Sequence, residues 1–179
     1  MIKLPMKNFS FSQKKCEKID FEGITFNLYK IKLLLRRGSF PKSVQLDRTY
    51  STKPAIEIDG ENTFPELAIL KLFKKDGWEG VWVDTFHKKY LDKFPIDNYN
   101  YKLPDHAASL LNKIKSLNNS KLSGCWDIFL WKDGAYLFVE SKGIPSNDKI
   151  RKTQLKWLKY GIQVGLKDDN YLLVEWDYI

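Results

Sequence analysis

Cysteine and histidine are scarce in this chain, with two of each in 179 residues. Cys16 and Cys125 cannot build a disulfide framework or a four-cysteine zinc site. His87 and His106 are too few and too scattered for a histidine-rich metal centre. No apolar run approaches the ~18–20 residues of a membrane span, and the opening MIKLPMKNFS lacks the core of a secretory signal. These absences predict an intracellular protein, neither secreted nor embedded in a membrane. No glycine-rich phosphate loop followed by Lys and Ser or Thr occurs, so an energy-coupled motor, such as a helicase, would have to come from a partner. Positive charge, by contrast, is plentiful. Thirty Lys plus Arg against 22 Asp plus Glu give +8, a balance that favours polyanionic partners: nucleic acid or an anionic membrane surface. With 43% hydrophobic and 15% aromatic residues there is enough material for one substantial core.

Residues 1–60 are the hardest to read. ITFNLYKIKLLL fits a strand pair or a helix, since its apolar positions follow neither period cleanly. From Thr63 the signals sharpen. TFPELAILKLFKKDGW predicts a helix with Thr63 as N-cap and Gly77 as stop, and GVWVDTF reads as a strand. Residues 88–104 read as an irregular connection, and Asp105 is the candidate N-cap of a helix to about Leu117. CWDIFLW and AYLFVESK are strands around Asp133-Gly134. PSNDKIRKTQLKWLKYG predicts a helix capped by Ser146 or Asn147 and stopped by Gly161, followed by two strands, IQVGLK and YLLVEWDYI. This order predicts an α/β (α+β) fold with a mixed central sheet flanked by helices. Residues 1–60 form an extension packed on a core domain of 61–179.

The hairpin carries the chemistry. An Asp-Gly pair between apolar runs favours a two-residue type I′ turn, which pairs Lys132 with Ala135, Phe129 with Phe138 and Asp127 with Glu140. Side chains alternate along a strand, so Lys142 shares the face of Glu140. Opposed carboxylates have β-carbons ~4.5–5.5 Å apart and repel. Here Phe129, Trp131 and Phe138 would desolvate them too. A divalent cation with oxygen ligands offsets such a pair, and Mg²⁺ or Mn²⁺ suits it better than Zn²⁺. The plain alternative is that Asp127 begins a strand at the surface while Glu140 pairs with Lys142.

The run Asp127, Glu140-Ser141-Lys142 resembles the core of the PD-(D/E)XK nuclease superfamily. The stretch from Gly124 to Leu166 is similar to the VRR-NUC family, whose members typically read G-x-P-D-L, then E-V-K-G-P, then Q-x-x-W-L. This chain has Gly124 with Asp127, then Glu140-Ser141-Lys142-Gly143, then Gln154 with Trp157 and Leu158. The likeness covers roughly residues 63–170. Trp126 stands where the family has proline, and Ser141 replaces an apolar residue. The resemblance implies a restriction-endonuclease-like core and a Mg²⁺-dependent DNA nuclease, with Mn²⁺ as substitute. Asp127, Glu140, Lys142 and Gln154 would be catalytic, and Glu66, Asp127, Glu140 and the Ser141 carbonyl would bind metal. Glu66 has a second reading, as partner of Thr63 in a capping box. Gln154 has one too, as a buried amide satisfied by backbone.

For contact with the DNA backbone, the candidates are Arg36, Arg37, Lys74, Lys75, Lys88 and Lys89, together with His87. Lys149, Lys152, Lys156 and Lys159 lie opposite Gln154 on the predicted helix and read as a solvated face. Asp84 and Glu175 read as surface acids by default, with extra acids of the site as the alternative, and Trp78, Trp82 and Trp176 as core. A structure-specific enzyme for flaps or junctions, serving repair, recombination or phage defence, is the leading expectation. A symmetric dimer would supply two sites for paired cuts. The rivals are a sequence-specific restriction-type enzyme, an inactive nuclease fold that binds DNA, and a binder of anionic membranes through the 149–160 segment.

Overall fold

The computed structural model describes residues 12–41, 44, 46–94, 99–146 and 149–179. Nine strands and three α-helices are present among them: β1 (Ser12–Phe21), β2 (Ile24–Arg37), β3 (Ile56–Ile58), β4 (Glu61–Thr63), α1 (Pro65–Lys75), β5 (Glu79–Asp84), β6 (Lys89–Leu91), α2 (Asp105–Leu117), β7 (Ile128–Lys132), β8 (Ala135–Gly143), α3 (Lys152–Gln163) and β9 (Tyr171–Tyr178). They form one sheet in the order β4-β3-β2-β9-β8-β7-β5-β6, with β1 paired to β2. The pairs β8–β9 and β9–β2 are parallel. Antiparallel pairs make up the rest, so the sheet is mixed as expected. No helix among the described residues is long and apolar enough to cross a membrane.

Strand alternation divides the sheet into two apolar faces. On one, Ile31, Leu33, Ile128, Leu130, Leu137, Val139 and Val174 meet Leu67, Leu70 and Phe73 of α1. On the other, Phe26, Leu28, Phe129, Phe138 and Leu173 meet Leu111 and Ile114 of α2 and Trp157 and Leu158 of α3. Helices thus cover both sides, and β7 and β8 are buried on both, which explains their nearly unbroken apolar sequence.

Several expectations need correction. ITFNLYKIKLLL is neither a helix nor a strand pair but part of one 14-residue strand. The sheet runs straight across residues 60 and 61, because β2 lies between β9 and the hairpin partner β1. Thr63 closes β4, and Phe64 takes the N-cap position of α1 without a side-chain cap. No capping box with Glu66 forms there. β6 was not expected within 88–104. α3 starts only at Lys152, so Ser146 does not cap it; that residue ends a single 3-10 turn. Asn147 lies outside the described residues. Gly161 sits inside α3, where a β-carbon would collide with the Tyr171 hydroxyl, so this glycine serves packing and not termination. IQVGLK is the end of α3 and the turn after it, and only YLLVEWDYI forms a strand.

Candidate active site

Asp133 and Gly134 adopt φ of 47° and 78°, the left-handed pair that a type I′ turn requires. Pairing then runs Lys132–Ala135, Trp131–Tyr136, Phe129–Phe138 and Ile128–Val139. Asp127 lies one step beyond the last paired residues and opposes Glu140, held by side chain–backbone bonds instead of ladder bonds. The Asp127 amide donates to Glu140 Oε2 at 3.2 Å, and the Ser141 amide donates to Asp127 Oδ2 at 3.0 Å. The Asp127 carbonyl accepts the Val83 amide of β5 at 2.7 Å.

Glu140 is 1% exposed and Lys142 4%. Lys142 Nζ lies 2.9 Å from Glu140 Oε1, and Gln154 Nε2 donates to the same oxygen. Burial pushes the Glu140 carboxyl up, and the neighbouring Lys142 ammonium and Asp127 amide oppose that rise. Asp127 is pushed well above the ordinary carboxylate range. Burial is the main cause, and the Glu140 and Glu66 charges add to it, against the Ser141 amide and Lys53. Lys142 and Gln154 both point to the same Glu140 oxygen.

Gln154 is placed by three local features. It is the third residue of α3, and its Oε1 accepts the Arg151 amide at 2.8 Å in a capping box. Its carbonyl accepts Trp126 Nε1 at 3.1 Å, so the tryptophan that stands where proline was expected pins the helix start. Gly124 has φ of 80°, and a β-carbon there would strike the Thr153 backbone; only glycine lets this loop approach so closely. The amide of Gln154 thus serves both the helix and Glu140, and neither reading alone describes it. Ser141 Oγ accepts Trp176 Nε1 at 3.0 Å on the far face, as alternation demands.

Glu66 sits on the first turn of α1, buried on the opposite layer. One of its oxygens accepts from Lys53, while Oε2 is buried with no hydrogen-bond partner among the described residues. Burial would lower the Lys53 ammonium, but Glu66 outweighs it and the net shift is upward. Lys53 was missed in the sequence because it lies in an irregular stretch with no periodic pattern. Asp84 was also misjudged: it is buried, not a surface acid. It accepts from the Tyr50 hydroxyl and the His87 amide and lies 2.6 Å from His87 Nδ1. Tyr50, Asp84, His87, Lys53 and Asp127 line a cavity of about 410 Å³.

The proposed backbone-contact residues lie elsewhere. Arg36 bonds Glu57, and Arg37 stacks on the Tyr178 ring. Lys74 lies 3.4 Å from Asp92, and Lys75 lies 2.7 Å from Asp59. Lys88 and Lys89 occupy the turn into β6. None of the six lines the cavity beside Asp127 or the one beside Lys142. Lys149, in contrast, precedes α3 and lines a cavity of about 480 Å³ together with Lys142. It does not face away from the site as the predicted helix required. Trp78, Trp82 and Trp176 are core residues, as expected.

Among the described residues, no group of three or more His, Cys, Asp or Glu side chains is gathered closely enough to hold a metal ion. The acids come as a bonded pair, with the third one tied to Lys53. The donor chemistry of that pair still fits a hard divalent cation: the buried carboxyl of Glu140 and the half-buried one of Asp127 oppose each other, and the Glu66 carboxyl, whose Oε2 has no hydrogen-bond partner among the described residues, is near enough for its charge to act on Asp127. Searches against family models, curated proteins and solved structures return no match.

Proposed function

We propose that the chain is a metal-dependent phosphodiesterase that hydrolyses DNA. The observation that carries this reading is the opposed Asp127–Glu140 pair, half-buried and buried, with Lys142 and Gln154 on one Glu140 oxygen. Nothing structural requires such an arrangement. Apolar residues of similar size would hold two central strands as well or better. Its composition and spacing resemble the site of PD-(D/E)XK nucleases of the VRR-NUC type.

In this reading Asp127 and Glu140 hold Mg²⁺, or Mn²⁺ in its place. The bound cation supplies a more acidic water and neutralises phosphate charge. Gln154 keeps Glu140 in one rotamer. Lys142, 2.9 Å from Glu140, orients the attacking water and offsets the charge that develops on the phosphate. The burial of the pair keeps competing solvent away and strengthens each of these interactions.

A second reading has one observation in its favour. Lys53 occupies an oxygen of Glu66, as a resident cation would, and this suits a nuclease fold that binds DNA without cutting it. One experiment separates the two. Labelled single-stranded, flapped and junction DNA is incubated with the protein and Mg²⁺, with EDTA as control. Cleavage that EDTA stops and that Lys142→Met abolishes supports the enzyme. Absence of cleavage on all three substrates, with Mg²⁺ or Mn²⁺, leaves the binding module.

A further inference from the structure

The face of the sheet that carries Glu140 and Lys142 is only partly roofed by α2 and α3. On β2 that face begins apolar, with Phe26 and Leu28 buried in the helix-covered core, and turns basic at Lys30 and Lys32. Parallel pairing sets Lys30 beside Leu173 and Lys32 beside Glu175. Across β9, Leu173 meets Glu140 and Glu175 meets Lys142. Two rows therefore cross three strands: Lys30, Leu173, Glu140 and Lys32, Glu175, Lys142. The 480 Å³ cavity opens over these rows. Among the described residues, Lys30, Lys32, Lys142 and Lys149 line it against two acids, Glu17 and Glu175. Lys30 is tied to Glu17 across the β1–β2 hairpin, which fixes the wall, while Lys32 and Lys149 are exposed.

We propose that this recess is a channel for the sugar–phosphate backbone of a nucleic-acid strand, which Lys32 and Lys149 guide to Lys142. The inference rests on the nuclease reading and deepens it by naming the surface that holds the substrate. Strands about 4.8 Å apart put Lys32, two strands away, about 10 Å from Lys142. That is roughly three nucleotides of backbone at the ~3.4 Å rise of a stacked strand. Among the described residues the floor contributes Ile19, Ile150 and Leu173 and no aromatic ring, so this surface suits phosphates and sugars more than stacked bases. The β1–β2 hairpin thereby gains a role. It extends the sheet past β9 and carries lysines that offset Glu175, whose charge alone would repel a phosphate.

The test is fluorescence anisotropy of a labelled oligothymidylate in EDTA over a series of salt concentrations, with Lys32→Glu, Lys149→Glu and the double variant. Thermal denaturation checks that these exposed substitutions leave the fold intact, and Lys→Ala versions repeat the measurement without an added acid. The expected result is that the double variant binds at least about tenfold more weakly, and that the slope of log affinity against log salt falls by about 0.7 for each lysine removed. Lys74→Glu with Lys75→Glu, on α1, should change the affinity less than about twofold. Wild-type affinity in the double variant, or no binding by the wild type, overturns the channel. Because EDTA separates binding from cleavage, the two ideas fail separately. A protein that cuts with Mg²⁺ but ignores these lysines keeps the nuclease reading and loses the channel. One that binds through them and never cuts does the reverse.

Discussion

Replacing Asp127 by asparagine should make the metal-free protein more stable. The asparagine oxygen can still accept the Ser141 amide, which reaches Asp127 Oδ2 at 3.0 Å. What disappears is an acid whose burial, and whose neighbours Glu140 and Glu66, raise it well above its usual range. The sign follows from proton binding. The unfolded chain loses the Asp127 proton near the ordinary value of about 3.9, while the folded chain keeps it to a higher pH. Between those two values the unfolded state binds fewer protons, so wild-type stability falls as pH rises. The gap between Asp127→Asn and wild type should be absent near pH 4 and widen towards neutrality. Each unit of upward shift is worth about 1.36 kcal/mol, and at this chain length that is about 3–5 °C in melting temperature. Thermal denaturation in EDTA across this range measures it. Mg²⁺ should then reverse the order. A ligand at a hundred times its dissociation constant adds about 2.7 kcal/mol to the wild type, and the variant, lacking one carboxylate, should gain far less. An asparagine variant less stable than wild type at neutral pH without metal, or equal stabilisation of both by Mg²⁺, would refute the buried acid pair as a cation site.

Gln154→Ala should cost about 1–3 kcal/mol, because it removes the cap on the Arg151 amide and a buried bond to Glu140; chemical denaturation reads the first effect. The same variant should also lose most cleavage in the Mg²⁺ assay, whereas Thr153→Ala, one position earlier on α3 and exposed, should not. Gly161→Ala should destabilise by about 1–3 kcal/mol through overpacking against the Tyr171 hydroxyl. A gain in stability there, as expected for an ordinary helical glycine, would show that the α3–β9 contact yields.

What was legible in the sequence was what short-range chemistry dictates. Asp133-Gly134 admits one tight turn, the turn admits one register, and the register brings Asp127 to Glu140 and puts Lys142 on the Glu140 face. Lys30 and Lys32 were not singled out, although they alternate with Ile31 and Leu33 at strand period. The consecutive Leu33, Leu34 and Leu35 obscured that pattern, although Leu34 is exposed and only its neighbours are buried. Helix boundaries failed for a different reason. Ser146 and Asn147 are good cap residues, but α3 starts after them, where Trp126 and Gly124 grip its first turn, and these contacts come from a loop more than twenty residues earlier. Lys53 and Tyr50 belong to the same class. They come from an irregular stretch, and only the tertiary fold brings them to Glu66 and Asp84.

The position of Asp127 explains why the site can draw on both layers. A residue within a buried strand serves one face, since its side chain cannot pass through the ladder. Glu140 and Lys142 are so confined, and they meet Gln154 of α3. Asp127 stands just before β7, where the ladder has stopped. Its amide bonds Glu140 and its carboxyl accepts the Ser141 amide on one side, yet it also feels Glu66 and Lys53 from the α1 layer and lines the cavity that holds Lys53 and His87. Carboxylates carried by opposite layers of a three-layer fold can approach only at such a strand end. It follows that lengthening the pairing of β7 by one residue would commit Asp127 to a single face. The link to the α1 layer would then break, even with every acid still present in the sequence.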